Sequence, residues 1–163
     1  MDDLDELAEQ CQKILNTEYS DKLDELYSLG GTSGGARPKI MTKYRGEEWI
    51  IKFPAHVNGK NVGRMEYEYS VCARKCGITM SRTKLFPSER CDGYFGIKRF
   101  DREDHQGKVK RIHTATVAAL LELDFEQPSL DYHSLMKLTR LLTADNPIER
   151  EQMFRRMCFN VFA

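Results

Sequence analysis

Residues 30–39 read GGTSGGARPK, and a stretch so rich in glycine belongs to no regular element. It therefore separates the chain into a short leading part and a long trailing part. Ahead of it, Leu4, Leu7, Cys11, Ile14 and Leu15 share one helical face between Asp2 and Asn16. Leu23, Leu26 and Tyr27 repeat the pattern behind Ser20, an N-cap residue with Asp21 and Asp24 in the first turn. Behind it, two strand-like runs at residues 39–44 and 48–53 flank Arg45-Gly46 at hairpin spacing. Residues 54–63 read as a loop, and Met65, Tyr69, Cys72 and Ala73 as a helix that Gly77 ends. Strands at 82–86 and 94–100 come next, with PSERCDG as the turn between them. The remainder is expected to be helical, at 116–123, 131–142 and 147–162, with Pro147 suited to a first turn. Strands first and helices afterwards predict an α+β chain with segregated lobes.

Composition excludes several functions. Hydrophobic residues make up 40% and charged residues 31%, as in soluble globular proteins. The 25 basic side chains balance the 25 acidic ones, so no global field draws in nucleic acid or an anionic membrane. Five cysteines without a CxxC pair imply reduced thiols and a cytoplasmic setting, not a disulfide framework. The acidic start MDDLDELAEQ lacks the layout of a signal peptide, and no run approaches the ~20 apolar residues that span a bilayer.

Three segments could carry chemistry. Gly30, Gly31, Gly34 and Gly35 leave backbone N–H groups unshielded, so a phosphate could approach closely. The helix-to-hairpin context and the absence of a following GKS or GKT fit neither a Walker loop nor a Rossmann turn. It suits a kinase-type loop that covers phosphates, or else a plain linker. Lys52 is the one charge in the apolar run WIIKF. Such a lysine is either an edge or snorkelling residue, or a phosphate contact that needs a helix carboxylate, and Glu66 and Glu68 both lie on the next helix. Residues 96–102, GIKRFDR, are either a hinge offering backbone groups to adenine or a charged turn in which Asp101 pairs with Arg99 or Arg102. His105, His113 and His133 show no ligand spacing, and no metal site is expected. The run Lys108-Val109-Lys110-Arg111 is too short to bind nucleic acid, and Arg150, Arg155 and Arg156 read as the solvated face of the last helix.

In order and spacing, GGTSGGARPK, WIIKFP, MEYEYSVCARKCGI, IKRFDR and FRRMCFNVFA resemble the HipA-like serine/threonine kinases, from about Leu29 to Ala163. The resemblance implies a protein-kinase-like fold: an N-terminal helical segment at 1–28, then a lobe at 29–101 with a small antiparallel sheet and one helix. The first helices of a helical lobe then occupy 102–163. It also implies ATP with Mg²⁺, phosphorylation of a protein substrate, and a toxin–antitoxin setting with a HipB-like antitoxin as partner. By position, Gly34, Gly35 and Ala36 would cover the phosphates and Lys52 would contact them. Glu66 would hold the lysine, Lys98, Arg99 and Phe100 would form the hinge, and Thr32, with Ser33 beside it, would be autophosphorylated.

Two departures shape the expectation. A known toxin of the family has glutamate where Lys98 stands, so an adenine contact here would fall to the backbone. The family's catalytic Asp and its metal-binding Asn and Asp come after the FNVFA-like helix in a motif resembling N-x-D-D-H-x-x-N, which these residues lack. The family's small N-terminal domain is missing as well. The chain is thus expected to be a piece of a longer kinase and inactive alone; the alternative is a non-catalytic nucleotide-binding or regulatory module. Met153, Phe154, Met157, Phe159, Val161 and Phe162 make the last helix apolar on more than one side, which implies burial against Leu120, Leu121, Leu135 and Leu138 of the chain's own helices or, the preferred reading, self-association.

Overall fold

In the computed structural model, residues 4–15, 37–55, 59–105, 108–124 and 130–163 are described. The helix expected behind Ser20 and the glycine loop itself, with Thr32, Ser33, Gly34, Gly35 and Ala36, lie outside them. The elements run α1 (Leu4–Leu15), β1 (Lys39–Tyr44), β2 (Glu47–Lys52), α2 (Val62–Lys75), β3 (Thr83–Phe86) and β4 (Tyr94–Lys98). They continue with β5 (Arg102–His105), β6 (Lys108–Arg111), α3 (Val117–Leu120), α4 (Tyr132–Leu142) and α5 (Pro147–Phe162). The fold is mixed α/β with a small antiparallel sheet, and it forms two compact units. One holds the chain to Val71 with Ser81–Arg102, the other Cys72–Met80 with Glu103–Ala163. None of the described helices is long and apolar enough to cross a membrane.

The first unit is built on a four-stranded sheet of order β1-β2-β4-β3, antiparallel throughout. Arg45 and Gly46 both take positive φ, 51° and 80°, which gives the tight hairpin the right twist for β1 and β2. Strand alternation puts Trp49, Ile51 and Phe53 on one face. There they join Ile40, Phe86 and Tyr94 and receive Leu4, Leu7 and Ala8 of α1 in a single core. The rings meet edge to face: Tyr44 and Phe86 at 5.1 Å, Phe53 and Tyr94 at 4.9 Å. Gly96 makes room for this, because a Cβ there would stand 2.3 Å from the Phe86 ring.

One carboxylate fastens α1 to the sheet. Asp5 accepts from Ser88 Oγ at 2.6 Å, Tyr94 Oη at 2.7 Å and the Glu89 N–H at 2.9 Å. Burial alone would raise the Asp5 carboxyl, but these three donors and Arg90 outweigh it and hold it below its ordinary value. The same burial, with the Asp5 charge beside it, pushes the Tyr94 phenol upward. On the opposite face lies α2, where Ser70 Oγ and Thr83 Oγ1 are hydrogen-bonded at 2.7 Å.

In the second unit, the end of α2 closes as a Schellman turn. The Gly77 N–H reaches the Arg74 carbonyl at 3.0 Å and the Ile78 N–H reaches that of Ala73 at 3.1 Å, with Gly77 at φ 76°. Side chains of α5 then satisfy carbonyls beyond it. Arg155 donates to Cys76 O at 2.9 Å, Gln152 to Gly77 O at 3.0 Å, and Arg156 to Thr79 O. Arg155 and Arg156 are therefore not simply a solvated face: they hydrogen-bond backbone carbonyls of the segment that follows α2. Residues 102–111 also correct the expectation that everything after the sheet is helical, since β5 and β6 form a separate two-stranded sheet. The basic run at 108–111 is its second strand, exposed at every residue. The helices α3, α4 and α5 carry no buried residue, and Phe154, Val161 and Phe162 of α5 are exposed.

Candidate functional site

Lys52 ends β2, an interior strand of the sheet, so it is not an edge lysine. Alternation places it on the face opposite Trp49, Ile51 and Phe53. There its Nζ donates to Glu66 Oε1 at 2.9 Å and lies 5.4 Å from the centre of the Phe95 ring, its cross-strand neighbour. Of the two carboxylates that the sequence offers, Glu66 is thus the partner. Both side chains are mostly but not fully enclosed, 33% and 23% exposed. A charge pair so placed is screened less than one on the surface and remains open to a ligand.

A second cation shares this carboxylate. Arg37, the first described residue after the glycine loop, brings Nη1 to 3.3 Å from Glu66 Oε2. Sequence reasoning misses it, because the glycines dominate that segment. Along the same sheet face, Met41, Ile50 and Ile97 stand in register across β1, β2 and β4, each half-buried. They form an apolar strip beside the charged group.

The segment after β4 is held on both sides. The backbone N–H groups of Lys98 and Arg99 donate to Arg82 O and Glu48 O, each at 2.9 Å. An adenine contact at the segment expected as a hinge would therefore use its carbonyls or the Phe100 N–H. The Lys98 side chain is drawn to Glu47 at 2.7 Å and away from any such role. Asp101 pairs with both neighbours, at 2.7 Å from Arg99 Nη2 and 2.7 Å from Arg102 Nη1. This fixes the turn that leaves Phe100 72% exposed.

Hydrogen bonding from Arg99, more than the opposing effect of burial, lowers the Asp101 carboxyl to about 2. A folded-state pKa below the unfolded one stabilises the fold at any pH above the unfolded value of 3.8, and that stabilisation is lost as the pH falls through about 2. Asp101→Asn should cost about 2 kcal/mol at neutral pH, with the deficit shrinking between pH 4 and 2. Urea titrations of both proteins across that range check this; a deficit independent of pH would mean the carboxylate charge is not what holds the turn.

These elements define a mixed α/β domain in which an interior-strand lysine is held by a helix glutamate beside an apolar strip. A family model described as HipA-like C-terminal domain matches residues 31–163, and the chain belongs to that family. No curated protein and no solved structure matches it.

Proposed function

We propose that the chain is the ATP-binding portion of a HipA-like serine/threonine protein kinase. The observation that carries this reading is the 2.9 Å contact of Lys52 Nζ with Glu66 Oε1 on the open side of an interior strand. A lysine so held keeps its ammonium extended and ready for a phosphate oxygen. The half-buried strip of Met41, Ile50 and Ile97 suits the flat face of adenine. On this reading Gly34, Gly35 and Ala36 lie over the phosphates, immediately before Arg37, and Thr32 is the hydroxyl open to autophosphorylation. Among the described residues no group of three or more His, Cys, Asp or Glu side chains could hold a metal ion, so no step is assigned to Mg²⁺ here. The partners of this reading are ATP, a protein substrate and an antitoxin, with self-association through the exposed apolar side chains of α5 and a cytoplasmic location.

The test is calorimetric titration with ATP. Lys52→Met removes a charge-assisted contact worth roughly 1.5–3 kcal/mol, so affinity should fall about 10- to 100-fold. Glu66 keeps Arg37 as a partner in that variant, which limits structural damage. Unchanged affinity after the substitution, or no nucleotide binding by the native chain, would overturn the reading.

A further inference from the structure

We infer that Arg37 is a second phosphate-binding cation of this site, reaching the polyphosphate directly instead of merely holding Glu66. The inference deepens the nucleotide reading and rests on it for the identity of the ligand, though not for the anion itself. Pro38 comes directly after Arg37, which biases Arg37 away from helical backbone. The Pro38 carbonyl accepts from the Phe53 N–H at 2.9 Å, so the entry to β1 is tied to the residue just past Lys52. Arg37 is thus placed beside Lys52 by the backbone, whatever its side chain touches.

Its present contact is a poor use of a guanidinium. The 3.3 Å approach to Glu66 is single, and Arg37 Nη1 and Glu66 Oε2, both buried, find no well-aligned hydrogen bond. A fork of two parallel N–H···O bonds at ~2.8 Å is what this pairing ordinarily achieves. Lys52 already takes the other oxygen of the same carboxylate. Among the described residues, one negative charge therefore faces two positive ones. The arrangement makes physical sense when a polyanion completes it, and a guanidinium matches phosphate geometry better than an ammonium does.

The experiment titrates ATP and inorganic tripolyphosphate into the native chain, Arg37→Gln, Arg37→Lys, Glu66→Gln and the Arg37→Gln/Glu66→Gln pair, with thermal melts to verify folding. Arg37→Gln should weaken both ligands about tenfold, one charge-assisted contact, and Arg37→Lys should recover part of that loss. The loss should persist in the Glu66→Gln background, because the contact is made to the ligand. Disappearance of the loss in that background would reduce Arg37 to a support for Glu66 and overturn the inference, as would unchanged affinity in Arg37→Gln. A native chain that takes tripolyphosphate with this dependence but ignores ATP would sink the nucleotide reading and leave Arg37 standing. A native chain that binds neither would remove both.

Discussion

Phe86→Ala should destabilise the sheet-bearing unit by about 3–5 kcal/mol, the usual cost of emptying a buried phenyl site. Phe86 is 1% exposed, and its ring lies against the bare Cα of Gly96 with Tyr44 and Trp49 edge-on at 5.1 and 6.0 Å. These neighbours cannot close the gap easily. Trp49 is anchored in an interior strand, and Gly96 has no side chain to move inward. Against a typical total of about 5–15 kcal/mol, such a loss leaves a marginal fold. For a unit of this size each kcal/mol shifts the melting midpoint by about 4–8 °C, so a fall of at least ~12 °C is expected. A thermal melt followed by near-ultraviolet circular dichroism reports on these aromatic rings directly. A shift of only a few degrees would mean that the aromatic cluster is not the centre of the core.

Much of this arrangement could be read before any coordinates, for local reasons. Leu4 and Leu7 lie one helical turn apart, and both are buried as that spacing requires. Arg45-Gly46 sits between two runs of strand formers and turns with positive φ at both residues. Lys52 and Glu66 were legible as a pair because each is defined by its element: a lone charge in an apolar strand, and a carboxylate on the next helix. What escaped was set by partners distant in sequence or by elements without a pattern. Asp5 reads as an ordinary acidic first-turn residue, yet its hydrogen bonds go to Ser88, Glu89 and Tyr94, more than eighty residues away. Arg155 and Arg156 look like solvent-facing charges until the carbonyls of Cys76 and Thr79 are placed before them. The β5–β6 hairpin gave no warning, because a strand exposed at every residue, such as KVKR, has no buried face and so no alternation to detect. The glycine loop, the most conspicuous feature of the sequence, lies outside the described residues, so its role rests on the resemblance and on Arg37 beside it.

Gly63→Ala should damage the fold and the site together, because the base of α2 is where they join. A Cβ at Gly63 would lie 2.1 Å from the Gly93 carbonyl oxygen, 3.1 Å from its carbon and 3.2 Å from the Phe95 nitrogen. All three are backbone atoms, so no side chain can rotate out of the way. Gly93 cannot retreat either. Its φ of 117° is open only to glycine, and space behind it is taken by Leu85 and the Phe86 carbonyl. The helix must therefore lift from the sheet, against the Asp92 N–H to Lys60 O bond at 3.0 Å and the Arg64–Asp92 ion pair at 2.6 Å. Overpacking usually costs about 1–3 kcal/mol, and a backbone clash with no escape belongs at or above about 3. Glu66 stands one turn along the same helix, so lifting its base lengthens the 2.9 Å contact with Lys52. If the site binds nucleotide as proposed, ATP affinity should fall with stability, by about tenfold or more even under conditions where the variant is fully folded. Measuring both quantities on the same variant separates the two effects. A Gly63→Ala protein that loses stability but binds ATP normally would show that α2 can shift without moving Glu66. One that loses neither would show that the close approach of helix and sheet at Gly93 is not a constraint at all.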